Sequence, residues 1–169
     1  MTTAADAPFL FRVCYSDTDA AGVVYHARYL EMFERSRAEW LYQRNLSPSL
    51  LVRDYNLLLP VRELTMNFHK PGRLDDVLAI DQLIEHRSRT QIKVRQTAKR
   101  THPEDANIEP ELIASAVIHI VGVDATTLKP KALPDWLFPL EPAGQWLKIE
   151  TLTANTLVWQ LTPLAGIVV

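Results

Sequence analysis

The sequence lacks several features that would place it at once in a class of protein. Its 169 residues include one cysteine, Cys14, which cannot form an internal disulfide and fits a reducing compartment. No run approaches the roughly 18 consecutive apolar residues that a membrane span needs, and residues 1–8 lack the basic and apolar regions of a secretory signal. The formal net charge of −2 shows none of the basic excess typical of nucleic-acid binding. We therefore expect a cytoplasmic protein with no membrane span and no nucleic-acid partner.

The hydrophobic pattern changes its period along the chain. A short apolar and aromatic strand is predicted over residues 9–15, and the spacing then predicts a long amphipathic helix over residues 27–45. A short second helix is expected over residues 49–55. Four strands follow, over residues 63–69, 77–86, 91–98 and 112–123, and the last is apolar on both faces and should be central and buried. Consecutive strands with one long helix to cover them predict an α+β domain with an antiparallel sheet.

Three parts of this pattern lead to separate expectations. Arg37 interrupts the apolar stripe of the long helix, so it needs a polar partner or a path to solvent. Cys14 falls in the first predicted strand, where a buried, inert thiol is favoured over a catalytic one. The chain is expected to divide into an N-terminal tail (residues 1–8), one domain (residues 9–141) and a partly ordered C-terminal extension (residues 142–169).

The most informative stretch is residues 15–26, Tyr-Ser-Asp-Thr-Asp-Ala-Ala-Gly-Val-Val-Tyr-His, directly before the long helix. It places the carboxylates of Asp17 and Asp19 two residues apart, and then an imidazole at the helix start. A helix N-terminus offers unpaired N–H groups and a partial positive charge, which suit a carbonyl oxygen that becomes an oxyanion. A carboxylate beside it could attack the carbonyl or activate a water. The stretch therefore suggests acyl transfer.

The same residues also allow simpler interpretations. Asp19 could cap the turn before the helix, and Asp17 is better explained as an acceptor for loop amides. Gly22 is expected to supply a backbone geometry that a side chain would obstruct. Asp17, Asp19 and His26 could together bind a metal ion. No further ligand cluster appears at a suitable spacing, so we predict no metal site.

Residues 15–19, 22–26 and Tyr29 closely resemble the opening motif of the 4-hydroxybenzoyl-CoA thioesterase family. The resemblance is closest to its YbgC-type branch, the acyl-CoA thioesterases associated with the Tol-Pal system. Residues 68–78, Phe-His-Lys-Pro-Gly-Arg-Leu-Asp-Asp-Val-Leu, resemble the second characteristic region of that branch. The resemblance implies a hotdog fold, in which an antiparallel β-sheet wraps around one long central helix. It also implies a homodimer or homotetramer with active sites at the subunit interface.

The resemblance further implies roles for particular residues. The catalytic aspartate of the family corresponds to Asp19, and the YbgC-type branch adds His26 and Tyr15 as catalytic candidates. The oxyanion donor corresponds to a backbone N–H at the helix start, that of His26 or a neighbour. Coenzyme A is then part of the substrate, and no cofactor is expected. The substrate-binding candidates are Gly22, Val24 and Tyr25 in the motif and, for the coenzyme A phosphates, Arg87, Arg89, Lys129 and Lys131.

Acyl-CoA thioester hydrolysis is the leading hypothesis that these residues support. A related class of thioesterase uses a helix glutamate instead, but an ion pair of Glu34 with Arg35 or Arg37 is favoured because the aspartate motif is intact. A hotdog hydratase or dehydratase and a non-catalytic acyl-CoA-binding protein are the alternatives. Neither of them would release a free thiol. The acyl group, the choice between coenzyme A and acyl carrier protein, and the role of Asp19 as nucleophile or base stay open.

Overall fold

The computed structural model describes residues 8–105 and 107–138, together with the backbone of a strand at residues 156–160. A short 3-10 turn (Tyr15–Asp17) follows the first strand. The remaining elements, in chain order, are β1 (Phe9–Arg12), α1 (His26–Tyr42), α2 (Pro48–Tyr55), β2 (Leu57–Leu58), β3 (Val61–Phe68), β4 (Val77–Arg87), β5 (Gln91–Thr101), β6 (Glu111–Val121), β7 (Val123–Asp124) and β8 (Thr156–Gln160).

Six strands form one antiparallel sheet in the order β1-β4-β5-β6-β3-β8, and β2 pairs separately with β7. The predicted α+β class with an antiparallel sheet is thus confirmed. The last predicted strand, β6, lies between β5 and β3 and is mostly buried, as its apolar pattern indicated. At one edge of the sheet β1 pairs with β4, so that Phe9 lies opposite Ile80.

The chain divides into two compact units. The first comprises Met1–Ser47, Phe68–Gln82 and Gln96–Ser115, and the second comprises Pro48–Asn67, Leu83–Arg95 and Ala116–Val169. The 15–26 stretch, α1 and residues 68–78 therefore all belong to the first unit. The second contains α2, which buries Leu51, and the β2–β7 pair, which buries Leu57 and Val123.

In the first unit, α1 buries one face. Its buried side chains, Tyr29, Met32, Phe33 and Leu41, recur at helical spacing, and each large apolar group stabilises the fold by roughly 1.5–3 kcal/mol. The helix ends at Tyr42, three residues before the predicted end. Asn45 has a left-handed backbone (φ 56°), and the N–H of Leu46 donates to the carbonyl of Leu41, which closes the helix end.

Arg37 has the polar partner that its position demands. Its Nη1 donates to Oε1 of Gln96 at 2.7 Å, and its Nη2 contacts the Glu34 carboxylate. Gln96 is fully buried, and its Nε2 donates to the carbonyl of Phe33 at 3.0 Å and to Gln82 Oε1 at 3.2 Å. Burial lowers the pKa of Arg37, and the nearby Glu34 carboxylate opposes that shift. The predicted ion pair of Glu34 with Arg37 is therefore confirmed.

The predicted burial of Cys14 is wrong. β1 ends at Arg12 instead of residue 15, and the thiol of Cys14 is exposed. The cause is local, because Asp17 donates its N–H to the carbonyl of Cys14 at 3.0 Å and accepts from the N–H of Cys14 at 2.7 Å. These bonds curl the chain into the 3-10 turn and take Cys14 off the sheet.

The predicted ends of the domain lie mostly outside the described residues. Of the tail (residues 1–8) only Pro8 is described, and of the extension (residues 142–169) only β8. β8 pairs antiparallel with β3, with Gln160 opposite Glu63 and Thr156 opposite Asn67. Within the described parts of the chain, no helix has the length and apolar character needed to cross a membrane.

Candidate active site

A tight turn holds Asp19 just before α1. The N–H of Asp19 donates to the carbonyl of Val23, and the N–H of Gly22 donates to the carbonyl of Asp19, each at 2.9 Å. Gly22 has φ +72°, a conformation that L side chains rarely adopt, and a Cβ atom there would meet nothing within 4 Å. The turn therefore needs glycine for its backbone angle, as we expected, and not because space around the Cα atom is short.

Asp19 is exposed to solvent and has spare capacity as an acceptor. One carboxylate oxygen, Oδ1, accepts the N–H of Ala21 at 2.8 Å in an Asx turn. Its other oxygen accepts no hydrogen bond from the described residues. Asp19 therefore does serve the turn, as the simpler interpretation held, and still presents a free carboxylate oxygen to solvent.

No side chain of the described residues caps the start of α1. Tyr25 is the N-cap residue in an extended conformation, and its N–H donates to the carbonyl of Asp17 at 2.8 Å. The N–H of Arg28 donates to the carbonyl of Tyr25 at 2.8 Å. Within the described residues, the N–H groups of His26 and Ala27 find no acceptor. Two backbone donors at the positive end of the helix are thus available to a ligand.

Asp17 is buried, with 1% of its surface exposed, and it is an acceptor for the loop as predicted. Its Oδ1 also accepts from Nε of Arg28 at 2.9 Å and from Nη2 of Arg28 at 2.6 Å. This hydrogen bond is the main cause of a raised pKa for Arg28. Sequence reasoning missed Arg28. A signal was present, because a cation in the first turn opposes the helix dipole and no acidic residue lies there to offset it.

The two motif regions meet in the first unit. The N–H of Val24 donates to the carbonyl of Gly72 at 2.8 Å, and the N–H of Gly72 donates to the hydroxyl of Tyr29 at 3.2 Å. Val13 and Asp76 are joined by a bond from the Val13 N–H to the Asp76 carbonyl at 2.9 Å. Residues 72–76 therefore support the loop that carries Asp19, through their hydrogen bonds to Val13 and Val24. Tyr29 is buried, which raises the pKa of its phenol.

Arg100 fixes the second motif region in turn. Its Nη2 donates to the carbonyl of Pro71 at 2.7 Å and lies 2.8 Å from Oδ2 of Asp76, and its Nη1 contacts the Glu111 carboxylate. Glu111 also pairs with Lys70. These ion pairs lie at the ends of β5 and β6 and attach the second motif region to the sheet. The second motif region is in turn hydrogen-bonded to the loop that carries Asp19.

The remaining motif candidates differ in exposure. Tyr15 is 82% exposed and Tyr25 is 45% exposed. The ring of Tyr25 lies 4.3 Å, centroid to centroid, from that of the exposed His26. Val24 is buried and packs against Gly72. Tyr15, Asp19, Gly22 and Tyr25 thus lie on the loop before α1, and His26 is the first residue of that helix. Their roles in catalysis and binding stay predictions.

The basic candidates for phosphate binding lie in the second unit, and two of them are already engaged. Arg87 donates to the carbonyls of Leu133, Pro134 and Leu137 at 2.7–3.2 Å. Lys131 donates to the carbonyls of Tyr55 and Asn56 and to Asp124. The side chains of Arg89 and Lys129 are exposed and make no such bonds in the described part of the chain. Of the four, these two are the cations open to a ligand.

No group of three or more His, Cys, Asp or Glu side chains in the described residues could hold a metal ion. Among the described residues, the candidate site offers one carboxylate oxygen of Asp19 that accepts no hydrogen bond. It also offers the N–H groups of His26 and Ala27 at the start of α1, which have no acceptor. A carboxylate beside such donors is suited to attack on a carbonyl or to activation of water. The arrangement therefore suits chemistry at an acyl group and makes this loop the candidate active site.

Comparison with known proteins agrees with this class. Residues 21–106 match the Thioesterase superfamily. The acyl-CoA thioester hydrolase YbgC of Escherichia coli O6:H1 is 37% identical over 123 residues, covering 73% of this chain and 86% of that protein. The structure of a probable thioesterase from Bartonella henselae has a TM-score of 0.66 at 32% identity, covering 76% of this chain and 99% of that one.

A solved 4-hydroxybenzoyl CoA thioesterase also has a TM-score of 0.66, over 77% of this chain and 92% of its own. At 20% identity it shows the fold alone. These matches confirm the predicted hotdog fold and the predicted family. The chain belongs to the thioesterase superfamily and is a thioester hydrolase.

The contact between the two motif regions is directly testable at Gly72. A Cβ atom there would lie 2.7 Å from the Tyr29 hydroxyl and 2.9 Å from Cγ2 of Val24. We expect Gly72→Ala to lower the free energy of unfolding by about 2 kcal/mol through overpacking. Combined with Tyr29→Phe, which removes the hydroxyl, the loss should be smaller than the sum of the two single losses. Urea unfolding at one fixed protein concentration measures all three variants.

Gly22→Ala is the matched control. Its cost comes from the positive φ, at about 1–2 kcal/mol, and no neighbouring atom is involved. Its effect should therefore simply add to that of Tyr29→Phe. Additive losses for Gly72→Ala and Tyr29→Phe would contradict the packing described for the two motif regions.

Proposed function

We propose that the protein hydrolyses acyl-CoA thioesters to a free acid and coenzyme A, with Asp19 as the catalytic carboxylate. The observation that carries this proposal is the free oxygen of Asp19, held by a tight turn beside an uncapped helix N-terminus. The relatives named acyl-CoA thioester hydrolases support the substrate class. The exposed free thiol of Cys14 fits a reducing, cytoplasmic location.

In the proposed mechanism the thioester carbonyl lies at the start of α1. Its oxygen accepts the N–H of His26 or Ala27, and one such donor contributes about 3 kcal/mol to lowering the barrier. Asp19 then either attacks the carbonyl carbon or takes a proton from a water that attacks it. The first route expels the coenzyme A thiolate and leaves an anhydride, which water hydrolyses. In the second route the activated water adds to the carbonyl carbon, and the resulting intermediate expels the coenzyme A thiolate to give the acid. His26 and Tyr15 are the neighbouring side chains available to orient the water or the substrate.

Asp19→Asn tests the proposal. Asparagine keeps the Asx turn but can neither attack the thioester nor accept a proton, so we expect kcat to fall about 1000-fold. KM should change only a few-fold, because the binding surface is unaltered. The measurement is release of free thiol from a panel of short-chain, long-chain and aromatic acyl-CoAs, which also indicates the preferred acyl group.

Asp105→Asn is the matched control. Asp105 is also exposed and accepts the N–H of the residue two positions on, Asn107, at 3.0 Å, so it makes the same local turn as Asp19. Its substitution should leave kcat and KM at the wild-type values. Near-normal turnover by Asp19→Asn would remove Asp19 from the mechanism. Acyl-CoA bound or converted by the wild type without thiol release would instead indicate a binding protein or a hydratase.

We also propose that the active unit is a homodimer or a homotetramer with the site at the interface. Two exposed aromatic side chains, Tyr15 and Tyr25, flank Asp19, and Leu10 on the edge strand β1 is 55% exposed. Exposed apolar side chains of this size are expected where a partner covers the surface. Sedimentation equilibrium should give a dimer or tetramer, and Tyr15→Asp should weaken association. A fully active monomer would contradict this assembly.

A further inference from the structure

The buried carboxylate of Asp17 joins three parts of the site at once. Its Oδ2 accepts from the N–H of Cys14, where the 3-10 turn begins, and its Oδ1 accepts from Nε and Nη2 of Arg28 in the first turn of α1. Its main-chain carbonyl accepts from the N-cap residue, Tyr25, at 2.8 Å. One residue therefore fixes the loop to the helix through both its side chain and its backbone.

Asp19 follows Asp17 by two residues, so the position of its carboxylate depends on where Asp17 is held. A shift of the turn relative to the helix N-terminus would break hydrogen bonds between charged groups that are largely out of water. Such bonds are about twice as strong as neutral ones. The Asp17–Arg28 pair therefore resists the motion that would most disturb the distance between Asp19 and the helix N–H groups.

The position of Arg28 is unfavourable for a cation that has no acidic partner. A cation in the first turn is unfavourable with respect to the helix dipole, yet only 27% of the Arg28 side chain is exposed and its guanidinium faces Asp17. The guanidinium also neutralises a carboxylate that would otherwise lie unpaired beside a developing oxyanion. Glu31 contacts the outer side of Arg28, and its own side chain is 55% exposed.

We propose that the Asp17–Arg28 ion pair is a positioning unit for catalysis, which sets Asp19 against the N–H groups at the start of α1. The inference rests on the proposed function. It assigns no chemical step to either residue. Its consequence is that the pair governs kcat, while the binding of coenzyme A is left to other surfaces.

Arg28→Gln tests the pair, because it removes the cation and leaves Asp17 buried without it. Misplacement of reacting groups by about 1 Å costs on the order of 100-fold in rate, and we expect kcat to fall by about that factor with KM within three-fold. Asp17→Asn should have a similar effect, since asparagine cannot pair with the guanidinium. The variant that carries both Asp17→Asn and Arg28→Gln should have a kcat no lower than that of the poorer single variant, because both changes disrupt the same ion pair.

Two variants separate positioning from general loss of structure. Glu31→Gln removes only the exposed outer contact of Arg28 and should leave kcat and KM unchanged. Arg28→Lys keeps the charge and thus the fold, but lacks the fork that bonds Asp17 through two nitrogens, and should lower kcat about ten-fold. Isothermal titration with coenzyme A should give the wild-type number of sites and Kd for each variant, which shows that the folded fraction has not fallen.

Chemical rescue gives an independent measurement. In Arg28→Ala, millimolar guanidinium should restore a large part of kcat, because the site of the guanidinium is partly open to solvent. The same concentration should leave the wild type unchanged. Recovery of kcat without any change in the number of coenzyme A sites would support the positioning role of the Asp17–Arg28 pair.

The outcomes distinguish this inference from the proposed function. A wild type that releases thiol, with Arg28→Lys and Arg28→Gln both retaining more than about a third of kcat, would overturn the positioning role alone. Loss of coenzyme A sites in proportion to the loss of kcat would also overturn it, since the pair would then be purely structural. A wild type that releases no thiol from any acyl-CoA would overturn the proposed function itself.

Discussion

A carboxylate that is removed from water needs hydrogen bonds or an opposite charge, and Asp17 has both. This requirement connects the loop, the helix and the site. Asp17 draws the chain off the sheet at Cys14, holds the N-cap residue through its carbonyl, and pairs with Arg28 inside the first turn. The helix α1 therefore begins at a fixed position relative to Asp19. Among the described residues, no side chain caps its first N–H groups.

The sheet supplies the rigid support for this loop. Arg100 anchors residues 71–76 to the ends of β5 and β6, and Gly72 brings that segment into contact with Val24 and Tyr29. The two motif regions lie 39 residues apart in the chain, from Tyr29 to Phe68, and act as one structural unit. The sheet therefore positions the loop of the aspartate motif through this second segment.

The sequence predicted the elements better than their ends. Periodicity located α1, the first strand and the four strands β3 to β6, but it did not predict the two-residue strands β2 and β7. The early end of β1 was not predictable from the apolar pattern, because one side-chain and one backbone hydrogen bond between Asp17 and Cys14 end the strand there. In the candidate site, the motif at residues 15–26 predicted which loop carries the proposed catalytic aspartate. The pairing of Asp17 with Arg28 depends on how the loop folds back on the helix, and spacing alone does not encode that.

The most direct measurement is a crystal structure of Asp19→Asn soaked with an acyl-CoA that the wild type hydrolyses. The account predicts that the thioester carbonyl oxygen lies about 3 Å from the N–H nitrogen of His26 or Ala27. The carbonyl carbon should lie about 3.5 Å from the side chain at position 19, or one water away from it. A thioester bound elsewhere, with neither contact, would contradict the claim that this loop and helix start form the active site.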